Sequence, residues 1–464
     1  MRSIKLFRGR SERATRPGGR SERATRPGGR SPRHGLPLVT TVVVLLALFA
    51  PPATAQFDNY ELFGTAELET EYGVRRYGEP DQTANGLASA VLNQRLYLAA
   101  GELFARSRLE LDDDETLSHE LEEGYVRLFP DPAVSLSLGR QRLNWGAGYT
   151  YSATDALHPR TARADREVGF DGASLTWFAT PDLSVAGAVA LQDAYEVTNT
   201  LSDTDAYRRI RYAAYLSHYF GNLQLDLSTV YEADTILRPG VSGSFTLGDT
   251  LLSAEAAVEL ENQALYPASD FDPASGAQAL LEGQRVPGLE QPGSYEPCPI
   301  VSAAFEHSFG SGDLTVTTIT EYLYNGMGYN EREFEQLLAL VSALEEEAAS
   351  FSVTAEGEQP FSGVASDLGG GAPFDGAGYF GLLRRHYLFQ TLSLSFAESW
   401  QSEHSVLLGL EEWSALVSHA LTLTTIDRVD LGVDVRWSMG EKEKDEFALL
   451  PYNAVTRLSV TMHF

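Results

Sequence analysis

A single cysteine, Cys298, stands in a chain of 464 residues. With no second thiol there is no internal disulfide, and no cysteine-based zinc site can be assembled. Long apolar runs are almost as scarce. Leu36 to Ala50 forms one, and nothing after it approaches the roughly 18 to 20 continuous apolar residues a spanning helix needs. Basic residues are few, 35 Lys and Arg against 64 Asp and Glu. Enzyme signatures are thin as well: no G-x-S-x-G, H-E-x-x-H or phosphate loop follows the apolar run. The expectation is a protein that is not an enzyme, with no cofactor, no metal and no disulfide framework.

The N-terminus reads as an export signal. The first 34 residues carry ten Arg, Lys5 and only Glu12 and Glu22, the apolar run follows, and Ala53-Thr54-Ala55 supplies small residues. That is the order of a secretory signal peptide, with cleavage expected after Ala55. SERATRPGGR occurs twice in tandem, at 11–20 and 21–30, so residues 1–55 are set aside as a duplicated basic leader and signal. Removing them leaves 24 basic and 62 acidic residues, a formal charge of −38. Such an excess argues against nucleic acid as a partner.

Residues 56–464 show short segments of alternating apolar and polar residues, the period-2 pattern of strands with two unlike faces. At 60–72, Tyr60, Leu62, Gly64, Ala66, Leu68 and Tyr72 oppose Glu61, Thr65, Glu67, Glu69 and Glu71, with Phe63 the exception. At 223–231, Leu223, Leu225, Leu227 and Tyr231 oppose Gln224, Asp226 and Ser228. At 252–261, Leu252, Ala254, Ala256, Val258 and Leu260 oppose Ser253, Glu255, Glu259 and Glu261. At 429–439, Val429, Leu431, Val433, Val435, Trp437 and Met439 oppose Asp430, Asp434, Arg436 and Ser438.

Tight turn signals such as Thr180-Pro181-Asp182, Gly221-Asn222 and Gly248-Asp249 alternate with longer connections, two of them very long, at about 262–299 and 325–384. Short turns at one end and long loops at the other are the plan of an outer-membrane β-barrel. The rhythm gives eighteen candidate strands between 60 and 464, or 16 if the weaker segments at 90–112 and 403–425 are discounted. With no helix able to cross a bilayer, a closed sheet is the other way to pair every backbone N–H and C=O in hydrocarbon. Aromatic residues fall at segment ends, Phe129, Phe178, Phe220, Phe309, Phe396 and Trp400 beside short turns and Tyr72, Trp145, Tyr231, Tyr324, Trp413 and Trp437 near long loops. Two interfacial girdles are the expectation. The chain ends with Leu458, Val460, Met462 and Phe464 on one strand face, which resembles the C-terminal signal by which bacterial barrels are recognised for assembly.

A family resemblance lies in GRQRLNWGAGYTYSATDALHPR, Gly139 to Arg160. Gly139, Gln141, Trp145, Gly146, Thr154, Asp155 and Pro159 match a G-x-Q-x-x-x-W-G strand end and a loop carrying Thr-Asp and Pro. The segment resembles a porin-like group of bacterial outer-membrane β-barrels, although Ala153 stands where that group usually has Pro. Glu446-Phe447 with Pro451 is a second match. The resemblance implies an all-β, transmembrane, antiparallel up-and-down barrel. Its implied partners are outer-membrane lipid, lipopolysaccharide, the barrel-assembly machinery and small hydrophilic solutes.

Arg140, Arg142, Arg160, Arg163 and Arg166 form a basic island in this acidic chain. A loop folded into the lumen would set these Arg residues against inward carboxylates, the transverse field by which charged rings filter solutes. Alternatively they only neutralise neighbouring loop acids or meet lipopolysaccharide at the rim. Simple alternation aims Arg140 and Arg142 at lipid, so either the membrane ends near 139 or a bulge resets the register. Residues 330–348 repeat apolar positions Phe334, Leu337, Leu338, Val341 and Leu344 at helical spacing. An amphipathic helix there either plugs the lumen or lies across the outer mouth.

The expected function is passive diffusion of small hydrophilic solutes through an acidic, cation-preferring lumen lined by Glu67, Glu69, Asp226, Glu255, Glu259, Glu261, Asp430 and Asp434. A sealed barrel serving surface binding or adhesion stays open. So does a hydrolase with a serine near a strand histidine such as His218 or His419.

Overall fold

The computed structural model describes residues 59–75, 82–111, 117–143, 145–148, 152–154, 169–191, 210–232, 236–260, 265–281, 286–290, 297–351, 383–397, 399–426, 428–441, 445–449 and 452–464. In chain order its strands are β1 (Tyr60–Arg75), β2 (Gln82–Leu98), β3 (Gly101–Leu111), β4 (Leu117–Asp131), β5 (Val134–Gln141), β6 (Phe170–Thr180), β7 (Leu183–Leu191), β8 (Ile210–Phe220), β9 (Leu223–Glu232) and β10 (Ile236–Leu247). There follow β11 (Thr250–Glu259), β12 (Tyr266–Pro267), β13 (Leu289–Glu290), β14 (Cys298–Ser311), β15 (Leu314–Asn325), β16 (His386–Phe396), β17 (Trp400–Gly409), β18 (Ser414–Ile426), β19 (Val429–Met439) and β20 (Tyr452–His463). Among the described residues two helices, α1 (Pro273–Leu281) and α2 (Glu331–Phe351), lie in the two longest connections.

Eighteen strands form one antiparallel sheet in which each pairs with its neighbours, and β1 pairs with β20 to close it. All eighteen candidate segments are barrel strands, and the smaller count of 16 is set aside. β12 and β13 form a separate ribbon in a loop. The seam is completed by the terminal residue: Gly64 N–H donates to Phe464 O at 3.0 Å and Phe464 N–H to Gly64 O at 3.1 Å. A Cβ at position 64 would lie 2.2 Å from the Val91 carbonyl oxygen and 2.9 Å from the Phe464 ring, so glycine is what lets the seam close. Hairpin turns at Gly221 and Gly248 have φ of 65° and 59°, left-handed values that glycine takes without steric cost.

Alternation sorts the two faces. Leu225, Leu227 and Tyr231 on β9 are exposed, whereas Asp226, Ser228 and Glu232 are buried. On β11 Leu252 is exposed while Ser253, Glu255 and Glu259 are buried. Register carries the pattern across the wall, since Val241 faces Leu227 and Ala256, while Ser242 faces Asp226 and Glu255. Between the two rims, no Asp, Glu, Lys or Arg of a described strand takes an outward position. Arg140 and Asp171 do so at the loop end, paired at 2.7 Å. Of the two options for that register, the structure shows the first: the apolar belt ends near 139. The result is a transmembrane β-barrel of the outer-membrane type. One expected girdle residue is corrected: Trp145 leaves the wall and is buried inside at 6% exposure, because the loop that carries it turns inward.

Leu227 sits mid-strand on the outer face and is 56% exposed. Leu227→Arg is expected to destabilise the barrel by about 2–4 kcal/mol, the cost of a cation at the bilayer midplane. Urea unfolding from lipid vesicles measures the difference, and an unchanged midpoint would contradict this outward assignment.

Candidate functional site

The described residues of the connection after β5, 145–148 and 152–154, fold into the lumen and are anchored on β11. Ala147 N–H and Gly148 N–H donate to Oε1 of Glu255. Thr154 N–H reaches Oε2 at 3.3 Å, and the hydroxyls of Ser152 and Thr154 lie 3.0 and 3.4 Å from the same oxygen. A carboxylate that accepts several backbone and hydroxyl donors makes strong, charge-assisted bonds. Gly146 has a φ of 132°, and a Cβ there would lie 2.1 Å from Ser152 Oγ, 2.6 Å from Thr154 Oγ1 and 2.7 Å from Glu255 Oε1. Any side chain at 146 displaces the anchor.

Trp145 fixes the start of this loop. Its ring stacks on Tyr215 of β8, centroids 5.2 Å apart and planes 13° from parallel. It packs over Ala186, Ala188, Ala190, Ala213 and Val230. Small inward residues on β7 and β8 leave the room that the indole fills. Gln141 is buried, accepting from Ser174 Oγ at 2.6 Å. Gly139, with φ of 122°, passes close to the Gly124 carbonyl, which a Cβ would meet at 2.2 Å. At the other end Ala153 is fully buried in a cluster with Ala257, Ile300, Leu323, Met327, Tyr387, Leu407 and Phe447. The described residues of this loop thus meet β8 through Trp145, β11 through Glu255 and, through Ala153, an interior cluster that includes Leu407 of β17. Gly139, Gln141, Trp145, Gly146 and Thr154 all take part in this one arrangement. Asp155, Pro159, Arg160, Arg163 and Arg166 lie outside the described residues, as does Glu261.

The other singled-out acids are placed as follows. Glu259 is buried against Arg238, and Asp226 is buried and held by Gln224 at 3.0 Å and Ser242 at 3.2 Å. Glu69 accepts from Arg457 at 2.8 Å, and Glu67 from Thr461 Oγ1 at 3.4 Å. Asp430 meets His463 at 2.8 Å and Thr424 at 2.6 Å, and Asp434 meets Arg436 at 3.0 Å. The side chains of Glu69, Asp430 and Asp434 stay partly open to the lumen, whereas Asp226, Glu255 and Glu259 are enclosed.

Arg142 turns inward once β5 ends and lies 3.6 Å from Glu122 and 3.5 Å from Glu123. Glu122 also binds Arg106 at 2.6 Å and Arg108 at 2.5 Å. Nothing in the alternation pattern reveals this cluster. Glu122 is the extra residue of a β-bulge, because Arg106 pairs with Glu123 while the next residue, Ser107, pairs with Leu121. The bulge puts two successive acids on the inner face. Below it Glu102 bridges Arg95 at 3.5 Å and Arg127 at 3.0 Å.

At the loop end, a second junction ties three connections together. Glu446, in a 3-10 turn at Glu446–Leu449, accepts from Leu383 N–H and from the Tyr387 hydroxyl. Its own N–H lies 3.4 Å from Glu412, which accepts from Arg384 at 2.8 Å. Complete burial pushes the Glu446 carboxyl up to about 8. Above the junction, the apolar side chains of α2, Phe334, Leu337, Leu338, Leu340 and Leu344, pack on Phe271, Ala277, Val286 and Leu289 of the other long connection. The helix therefore rests its apolar face on the other long connection. His218, one of the strand histidines considered for hydrolysis, contacts the Asp182 carbonyl at a short turn, at 2.9 Å.

No family model matches the sequence, and no curated protein matches it either. Solved structures do. OccAB4 of Acinetobacter baumannii is 9% identical over 88% of this chain and 99% of its own, with a TM-score of 0.50. OccAB1 of the same organism is 12% identical over 87% of this chain and 96% of its own, also with a TM-score of 0.50. The outer membrane protein opdK of Pseudomonas aeruginosa is 10% identical over 87% and 99%, with a TM-score of 0.47. At such identities the likeness is one of fold.

Two outcomes follow from this geometry. Glu255→Ala removes a charged acceptor whose hydrogen bonds contribute about 1.5–3 kcal/mol each, so the loop is expected to leave the wall and the buried Trp145 to become accessible to a water-soluble fluorescence quencher. Unchanged quenching would show that the anchor does not hold the loop. For Glu446, the folded carboxyl titrates near 8 against an ordinary 4.5. The unfolded junction loses its proton first, so junction stability is highest below 4.5, falls as pH rises to about 8 and is flat above that. Hydrogen exchange at the Leu383 amide, corrected for intrinsic rate, is expected to speed up across that window in the wild type. In Glu446→Gln the corrected rate is expected to be independent of pH.

Proposed function

We propose that this chain is an outer-membrane channel through which small hydrophilic solutes diffuse, with a preference for cations. The observation that carries the proposal is the loop folded onto Glu255 inside a barrel of eighteen strands. A barrel of that size leaves an aqueous interior, and a loop secured against its inner wall narrows that interior. The barrel folds of OccAB4 and OccAB1 are in keeping with this reading.

Selectivity follows from which charges remain in water. Asp226, Glu255 and Glu259 are consumed by the loop and by neighbouring strands, whereas Glu67, Glu69, Glu71, Asp430 and Asp434 line the wall of β1 and β19 beside Arg436 and Arg457. Carboxylates in excess along a narrow aqueous path attract cations and repel anions. Arg142 with Arg106 and Arg108 supplies a localised positive field on the β3–β4 wall, which orients a passing solute's dipole. In the same proposal residues 1–55 direct export, Phe464 at the seam is the element the assembly machinery reads, and lipid with lipopolysaccharide covers the outside.

A second reading draws on the apolar core shared by α1, α2 and the β12–β13 ribbon. A cap with its own core can present a binding surface over a closed mouth, as a surface receptor or adhesin would. Conductance separates the two. Purified protein in a planar bilayer under a salt gradient is expected to give stepwise current with a reversal potential of the cation-selective sign. Glu67→Gln with Glu69→Gln is expected to lower that potential. Absence of current would favour the capped barrel, and an anion-selective sign would refute the lumen-charge assignment.

A further inference from the structure

Three polar side chains stand together on the face that should be apolar. Ser402 and His404 on β17 and His419 on β18 take outward positions, since Leu407 on β17 points into the interior cluster and His404 pairs directly with His419. They lie among Leu392, Leu394 and Leu421. Ionisable residues facing lipid are costly and mark function. A leucine at any of these positions would suit the wall better.

The three are joined end to end. Ser402 Oγ lies 3.0 Å from Nε2 of His404, and Nδ1 of His404 lies 2.6 Å from Nδ1 of His419, the rings 4.2 Å apart. If the serine hydroxyl donates to Nε2, His404 carries its proton on Nδ1 and gives that hydrogen bond to His419. This is the arrangement a serine nucleophile requires: a basic nitrogen on the hydroxyl, and the opposite ring nitrogen oriented by a third group.

Depth points to the substrate. Ser402 follows Trp400 by two positions, and Trp400 pairs with Phe396 at the short-turn girdle. Rings of a girdle sit at the headgroup level, next to the ester linkages of lipids. We infer that Ser402, His404 and His419 form a serine esterase site on the bilayer-facing side of the wall, whose substrate is an acyl ester of a phospholipid in the leaflet at the short-turn end. Ser402 Oγ attacks the ester carbonyl carbon as its proton passes to Nε2 of His404. The bond from that carbon to the glycerol oxygen then breaks, and the departing alkoxide takes the proton from His404, leaving acyl-Ser402 and a lysophospholipid. Interfacial water, deprotonated by His404, attacks the acyl-serine, and fatty acid leaves as Ser402 regains its proton. Ser402 and His404 are catalytic residues, and His419 is a positioning residue.

Two features set the rate. Ser402 is only 3% exposed, so an ester reaches it when the flanking leucines change rotamer, a fast motion for side chains facing lipid, while His404 stays in place against His419. Ser402 lies in register with Leu394 and Leu421, which commits the nearby backbone N–H groups to the sheet. The oxyanion therefore rests on water, and turnover is slow.

The test uses the full-length protein in vesicles of phosphatidylethanolamine and phosphatidylglycerol, with an alkyl fluorophosphonate as probe. Peptide mass mapping is expected to find the adduct on Ser402, and fatty acid and lysophospholipid are expected to accumulate. Ser402→Ala should remove both, and His404→Asn should slow labelling by about 10³-fold or more. His419→Leu should slow labelling and change its pH profile, with partial rescue in His419→Asn, which can still accept from Nδ1. Ion conductance should be untouched in Ser402→Ala because the site lies outside the lumen, so failure here is distinct from failure of the channel proposal. An unlabelled Ser402, or equal fatty acid release from wild type and Ser402→Ala, would overturn the inference.

Discussion

Backbone hydrogen bonding in hydrocarbon is the constraint on which the rest depends. An N–H or C=O left open there costs several kcal/mol, so the sheet must close, and the pair between Gly64 and Phe464 completes it. Closure gives every strand an outside and an inside, separated by a period of two. The acidic excess is compatible with membrane insertion for that reason: its charges on the strands point inward or lie at the rims.

Inside, the same physics works at shorter range. Each enclosed acid has a partner supplied by an adjacent strand or by the loop: Arg238 for Glu259, Arg211 for Glu232 at 2.7 Å, and backbone N–H groups for Glu255. Where burial outweighs the hydrogen bonds an acid accepts, its pKa rises instead, as at Glu446 in the loop junction. The small residues of β7 and β8 give the loop its space, and the bulge at Glu122 gives Arg142 its counter-charges. On β1 and β19 the carboxylates of Glu69, Asp430 and Asp434 stay partly exposed. The wall is thus filled where the loop packs on β7 and β8 and charged on β1 and β19.

Much of the architecture was legible beforehand. Alternation at 60–72, 223–231, 252–261 and 429–439 gave correct faces, and the turn rhythm gave all eighteen strands. The helix near 330–348 was visible in its spacing, with Leu340 as an added core residue. The site was legible only as a motif. Gly146 and Trp145 stood out as residue types, yet their purpose depends on Glu255 and Tyr215, far along the chain. Glu122 could not be singled out, because a bulge changes sidedness without changing the local pattern. Ser402 and His404 look unremarkable in sequence, since a polar residue on a strand is expected to face inward until the register shows otherwise.

The amino-acid order by itself determined the period, the number of crossings, the sign of the net charge and the apolar belt, all properties of neighbours along the chain. Tertiary structure alone decided which carboxylates are spent on anchoring and which stay in water, that Trp145 turns inward, and that His404 meets His419 on the outer surface. The reason is that these outcomes depend on register and on contacts across the barrel. A hydrogen bond between residues a hundred positions apart leaves no trace in the spacing of either.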